Sequence, residues 1–265
     1  MDTILNCIIV EDEPIHSNRL KKLLTAIDER VKILAICTTI EEAVEKITRL
    51  NPQLVFLDIQ LQDEIRGGFE VIRHFKHPGF DVLFTTAHID NNILEIRRCG
   101  LGYLAKPYVQ QELEDNLRKV WEKQVGQVGV RQLETLLHNL ITEQLDEQLI
   151  WVNLAEGSIP VKIKNLVYGK AIDQYTALYV LEEEGSHKIE KLTTSKGIGV
   201  WAEHLAPLKF CRSHDSYIIN LRHIARINKS MTVTLRHVAE PLPLSRTGKE
   251  RLNALIKNTS PLHFR

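Results

Sequence analysis

Apolar positions over residues 4–122 alternate between two spacings. Residues 4–10, ILNCIIV, are an almost unbroken apolar run that stops at Glu11-Asp12-Glu13-Pro14, the pattern of a buried strand. Leu20, Leu23, Leu24 and Ile27 then recur at i, i+3, i+4, i+7, which predicts a helix, and Pro14 suits its first turn because the missing N–H costs nothing there. The same alternation predicts strands at 31–37, 54–57, 82–85 and 103–105, and helices at 41–50, 69–75, 93–99 and 111–121. Strand and helix in strict succession imply a doubly wound α/β domain, a five-stranded parallel sheet with helices on both faces. From residue 150 the spacing changes to short alternating runs at 151–154, 159–161, 166–168, 176–181, 188–192, 217–220, 224–227 and 232–235. AEGS and EEEGS mark turns between them, PLPLSR ends a further β segment, and helices are expected at 198–205 and 249–256. The second half is therefore mainly antiparallel β.

Between the halves, GQVGVRQLETLLHNLITEQLDEQL opens on two glycines and turns helical. Leu133, Leu136, Leu137, Leu140, Ile141 and Leu145 form an apolar stripe. The stripe suits packing against the chain's own domain, and a short parallel helical dimer stays open as the other use. The expected organisation is an α/β domain at 1–123, a helical linker at 124–148, a β domain at 149–259 and a tail at 260–265.

Charge sharpens the division. Residues 1–123 hold 16 Lys and Arg against 20 Asp and Glu, whereas residues 209–265 hold 11 bases against 3 acids. A basic C-terminal part on an acidic N-terminal part points to a polyanion partner for the second. The four cysteines contain no CxxC pair, the N-terminus lacks the basic lead-in of a signal peptide, and no apolar run is long enough to span a bilayer. A cytoplasmic protein is expected, without membrane association.

In parallel sheets, functional groups gather at the carboxyl ends of the strands. Those positions hold Glu11 and Asp12, Asp58, Thr86 and Lys106. Asp58 by itself, closing LVFLD, reads as a turn residue; five such groups on one edge do not. Three acids supply hard oxygen ligands for Mg²⁺, and their mutual repulsion favours a bound cation. A carboxylate also serves as nucleophile toward a phosphoryl group, with the metal and the Lys106 ammonium balancing charge and the Thr86 hydroxyl meeting a phosphate oxygen.

This constellation resembles the receiver domain of two-component response regulators, over about residues 4–122, and implies a flavodoxin-like strand order. The resemblance makes Asp58 the phosphoacceptor and Glu11 and Asp12 the acidic pair. It gives Gln60 a metal-binding backbone carbonyl, makes Tyr103 the switch aromatic that swings inward behind Thr86, and implies a cis Lys106–Pro107 bond. A sensor histidine kinase is the implied phosphoryl source, and the domain catalyses nothing beyond its own Mg²⁺-dependent phosphorylation and dephosphorylation. QLQDEIRGG after Asp58 is about one residue longer than the family's usual loop.

In the second half, FCRSHDSYIIN at 210–220 and LSR at 244–246 resemble the LytTR DNA-binding domain, over about residues 150–258. Together the halves resemble a response regulator of the LytR/AlgR type, with a compact ten-stranded β fold that binds double-stranded promoter DNA, usually as a dimer. Arg246, at an expected loop tip, suits a bidentate contact to guanine. Arg212, Arg222, Lys249 and Arg251 suit phosphates. Gln174, in the Asp173-Gln174-Tyr175 loop, is a second groove candidate. His214 and Asn220 read more readily as hydrogen-bonding the turn than as touching DNA. Asp215 departs from the family, which usually carries Arg, Lys or Asn there.

Two other readings compete. A haloacid-dehalogenase-type phosphatase wants a second acid where Gln60 stands. A receiver driving a protein-interaction output without DNA lacks a use for the basic C-terminal part.

Overall fold

The computed structural model describes residues 4–62, 67–75, 78–87, 91–122, 128–142, 144–182 and 188–258. The chain divides into two compact units, residues 1–141 and 142–265.

The first unit alternates β1 (Leu5–Val10), α1 (Pro14–Ile27), β2 (Val31–Cys37), α2 (Ile40–Leu50), β3 (Leu54–Asp58), α3 (Gly67–Arg73), β4 (Asp81–Thr86), α4 (Asn91–Arg98), β5 (Gly102–Ala105) and α5 (Gln110–Glu122). The strands pair in parallel in the order β2-β1-β3-β4-β5. Because β1 and β3 run inside the sheet, both faces of each are covered, which is why their sequences are continuously apolar. Leu54 and Phe56 point into a core with Leu20, Leu24, Leu113 and Leu117 of α1 and α5. Val55 and Leu57 alternate to the other face and are fully buried. Phe69 of α3 meets Phe84 of β4 edge-on at 5.4 Å between ring centroids.

The fold corrects the expected helix at 69–75 to Gly67–Arg73. The longer loop noted after Asp58 falls largely on residues 63–66, outside the described residues, as does the EEEGS turn beyond Glu182 and the tail at 260–265.

The connecting segment is shared between the units. Helix α6 (Val128–Ile141) lies against α3 and β4 with Leu133 and Leu136 fully buried, while Ile141 is 70% exposed. The helix ends at Ile141, which corrects the expectation of helix through the whole stripe. Leu145 begins a 3-10 turn (Leu145–Glu147) and packs on the core of the second unit.

The second unit has ten described strands: β6 (Leu149–Leu154), β7 (Gly157–Lys162), β8 (Leu166–Ile172), β9 (Tyr175–Leu181), β10 (Ile189–Thr194), β11 (Phe210–His214), β12 (Tyr217–Asn220), β13 (Ile224–Ile227), β14 (Thr232–Leu235) and β15 (Leu242–Pro243). A central antiparallel sheet runs β10-β9-β8-β12-β11, beside a three-stranded sheet β13-β14-β15 and the hairpin β6-β7. Leu166, Leu178 and Ile218 face Trp201 and Leu205 of α7 (Ile198–Leu205). Their neighbours Val167 and Ile219 face the small sheet and Leu252 of α8 (Arg246–Asn258). Period-two alternation therefore separates two cores on one sheet.

Candidate functional site

The carboxyl edge of the parallel sheet brings the expected residues together. Glu11 and Asp58 are 1% and 3% exposed, and Asp12 is half-buried beside them. One carboxylate oxygen from each of these three acids lies within 4.8 Å of the others. Lys106 Nζ reaches both Glu11 Oε2 and Asp58 Oδ2 at 2.6 Å. Its place is fixed by the register of β4 and β5, where Lys106 N donates to Thr86 O at 2.7 Å and the Lys106–Pro107 bond is cis. Thr86 ends β4, buried, beside the same pocket.

Each acid is held by backbone. Glu13 N donates to Glu11 Oε1 at 3.3 Å, Gln60 N to Asp58 Oδ1 at 3.2 Å, and Gln62 N to Asp12 Oδ2 at 3.0 Å. Gln62 adopts a left-handed φ of 57°, which turns its N–H back toward Asp12. Burial pushes the Asp58 carboxyl up to about 7; the Lys106 ammonium opposes that rise and the Glu11 charge adds to it. A buried acid sharing one lysine with a second acid gains from another cation. The donor set is all oxygen, which fits a small hard divalent ion rather than a thiolate- or imidazole-seeking one.

Tyr103 stands apart from this pocket on β5. It is half-buried, its carbonyl accepts from Asn116 Nδ2 at 3.5 Å, and the Arg97 guanidinium lies 5.4 Å from its ring centroid. Sequence reasoning missed Tyr108, which is 2% exposed and donates its hydroxyl to Glu11 Oε2 at 3.3 Å. It also gave no weight to Gly67 and Gly68, which let α3 close on the backbone of Leu61 and Asp58. The available signals were the aromatic after Lys106-Pro107 and the paired glycines themselves.

In the second unit the β8–β9 turn at Asp173-Gln174 and the β11–β12 turn at Asp215-Ser216 share one end of the central sheet. β8 and β12 pair antiparallel, and Ala171 N donates to Ser216 O at 2.9 Å. Gln174 and Asp215 are exposed there. Ser245 docks on β11 through its N–H to Ser213 O at 2.8 Å, and its hydroxyl accepts from Gly248 N at 3.0 Å, an N-cap for α8. Arg246 therefore opens a helix, which corrects the expected loop tip. Arg246, Lys249 and Arg251 are all exposed on α8, with Arg246 and Lys249 in its first turn.

Two candidates are otherwise engaged. Arg212 Nη2 donates to Asp215 O at 3.0 Å, so its guanidinium shapes the turn that presents Asp215. Arg222 follows the far end of β12, a strand length from that turn, where Leu221 N bonds Lys209 O. It is ion-paired with Asp146. Glu147 likewise pairs with Lys162 at 3.1 Å and Lys164 at 2.7 Å. His214 Nδ1 accepts from Ser216 N at 3.2 Å, and Asn220 Nδ2 donates to Ile163 O and Leu166 O at 3.2 and 2.8 Å. Both hold turns.

Residues 7–118 match the family model of the response regulator receiver domain, and residues 156–257 that of the LytTr DNA-binding domain. The chain is 25% identical over 260 residues to the sensory transduction protein LytT of Bacillus anthracis, covering 96% of this chain and 100% of that one. It is 26% identical over 230 residues to the sensory transduction protein LytR of Staphylococcus saprophyticus, covering 84% and 86%. Among solved structures, a signal receiver domain from Desulfovibrio desulfuricans is 25% identical, with a TM-score of 0.40 over 45% of this chain and 95% of that one. A LytTr DNA-binding domain from Bacillus cereus is 22% identical, with a TM-score of 0.34 over 41% and 95%. The architecture is that of a response regulator, in which phosphorylation of one domain governs DNA binding by another. The chain carries a receiver domain followed by a LytTR domain and is similar over most of its length to the LytT and LytR regulators. Among the described residues no helix is long and apolar enough to cross a membrane.

Proposed function

We propose that Asp58 is the phosphoacceptor of a two-component transcription regulator, loaded by a sensor histidine kinase. The observation that carries this reading is the triad in which one buried lysine touches both Asp58 and Glu11 at 2.6 Å, with Asp12 within ligand distance. Asp58 Oδ attacks phosphorus of a phosphohistidine, a P–O bond forms, and the P–N bond breaks with return of its electrons to the imidazole. Glu11, Asp12, Asp58 and the Gln60 carbonyl would hold Mg²⁺, which when bound supplies positive charge to the transferring oxygens. Lys106 stays beside the acceptor as a countercharge, and the Thr86 hydroxyl turns to the added group. Tyr103, lightly held under Arg97, then moves inward and changes the α4–β5–α5 surface, a two-state response to a local charge. The chain acts on no further substrate.

The output is binding of promoter DNA, as a homodimer when phosphorylated, by the sheet end that carries Gln174, Asp215, Arg246 and Lys249. Arg246 reads guanine, Lys249 meets phosphate, and Asp215 suits a donor such as cytosine N4. The intact chain with acetyl phosphate and Mg²⁺ should gain the mass of one phosphoryl group and protect promoter DNA in footprinting. Asp58→Asn should abolish the mass gain. Equal modification of that variant overturns the assignment.

A further inference from the structure

We propose that Tyr108 is a positioning residue of the metal pocket, its hydroxyl holding the Glu11 carboxylate in the orientation that presents it to the cation. The inference rests on the phosphoacceptor reading above and adds to it a residue outside the strand-end set.

A glutamate at the first acidic position has one more rotatable bond than an aspartate, so its carboxylate needs more restraint to keep a fixed direction. Glu11 receives three donors: Glu13 N on Oε1, and Lys106 Nζ and Tyr108 Oη on Oε2. Lys106 divides its ammonium between Glu11 and Asp58, so its hold on Glu11 varies with the state of Asp58. The Tyr108 hydroxyl is neutral, and Asp58 is not its hydrogen-bond acceptor.

The ring that carries this hydroxyl is fixed from several sides. It sits in the core shared by β1, β3, α1 and α5, His16 meets it edge-on at 6.4 Å, and Arg19 Nη2 donates to the Tyr108 carbonyl at 3.1 Å. Phenylalanine fills the same volume, so Tyr108→Phe removes the hydrogen bond and leaves the packing. At 3.3 Å the contact is long for an O–H···O bond, so a moderate effect is expected.

The test is a calorimetric Mg²⁺ titration of the full chain, with phosphorylation by acetyl phosphate followed as a function of Mg²⁺. Tyr108→Phe should weaken Mg²⁺ binding about three- to tenfold, while phosphorylation at saturating Mg²⁺ keeps its wild-type rate. A purely structural role would instead lower the saturated rate or leave the Mg²⁺ requirement unmoved, and either result overturns the proposal. Glu11→Asp draws the carboxylate back from the hydroxyl, so adding Tyr108→Phe to that background should change Mg²⁺ affinity less than twofold. A full effect of Tyr108→Phe in that background also overturns it. If the wild-type chain itself takes up no Mg²⁺, the phosphoacceptor reading fails; if it does and Tyr108→Phe binds equally well, only the role of Tyr108 fails.

Discussion

A Cβ built on Gly68 would lie 2.0 Å from the carbonyl oxygen of Asp58. The start of α3 thus rests on the backbone of Asp58, with Gly68 N also bonded to Ile59 O at 3.1 Å. Gly68→Ala must push helix and strand apart. It is expected to cost about 2–3 kcal/mol and to slow phosphorylation of Asp58. Gly79→Ala, where a Cβ meets nothing within 4 Å, should stay within about 0.5 kcal/mol. Urea unfolding of the two variants makes the comparison.

The buried Asp58 predicts a pH-dependent stability in the absence of metal. Burial raises its carboxyl to about 7 from an ordinary value near 4, so the folded chain binds the proton more tightly than the unfolded one. The stabilisation is complete below the unfolded value and is lost as pH rises through about 7. Asp58→Asn, which cannot ionise, should melt higher than wild type at pH 8 in EDTA, and the gap should narrow at pH 5.5. Added Mg²⁺ should narrow it at pH 8. A gap that is constant with pH contradicts the assignment.

Salt dependence separates the arginines and lysines of the second unit. Lys249→Ala should reduce the slope of log affinity against log salt by about 1, as loss of one phosphate contact does. Arg246→Ala should cost about 1–3 kcal/mol and relax preference at one base position. Arg212→Ala should weaken binding without lowering the slope, because its guanidinium holds the Asp215 carbonyl. A slope reduced by Arg212→Ala would place that side chain on the backbone of the DNA.

All four cysteines are buried and free. Burial pushes the Cys7, Cys37 and Cys99 thiols up to about 12 and Cys211 to about 11. Native chain at pH 8 should react with a thiol reagent about 100-fold more slowly than urea-unfolded chain. A rapidly labelled thiol would show that its core opens.

The five groups of the pocket, Asp58 among them, were legible in the sequence because each stands at the end of a strand, and strand ends are set by local apolar runs. Tyr108 was not, since its bond to Glu11 joins positions 97 residues apart and depends on how α1 and β5 pack. Period-two alternation marks β12 correctly but carries no information on which end of the sheet a residue occupies, so Arg222 reads as a phosphate candidate beside Lys249. Only the pairing of β12 with β8 and β11 separates them. The leucine stripe misled in a similar way: helical spacing continues through Leu145, yet α6 and Leu145 serve different cores. Arg212 lay in a DNA-family motif, and nothing short of the folded turn shows its guanidinium turned inward.

The acidic clasp at Asp146 and Glu147 bears on how the second unit is best studied. It pairs with Arg222, Lys162 and Lys164 at the rear of the sheet, away from the turns that carry Gln174 and Asp215. A truncation starting at residue 149 discards both acids and removes these carboxylate partners of Arg222, Lys162 and Lys164. Such a fragment would cling to any duplex through its back, and its apparent avidity would overstate what the whole regulator can do.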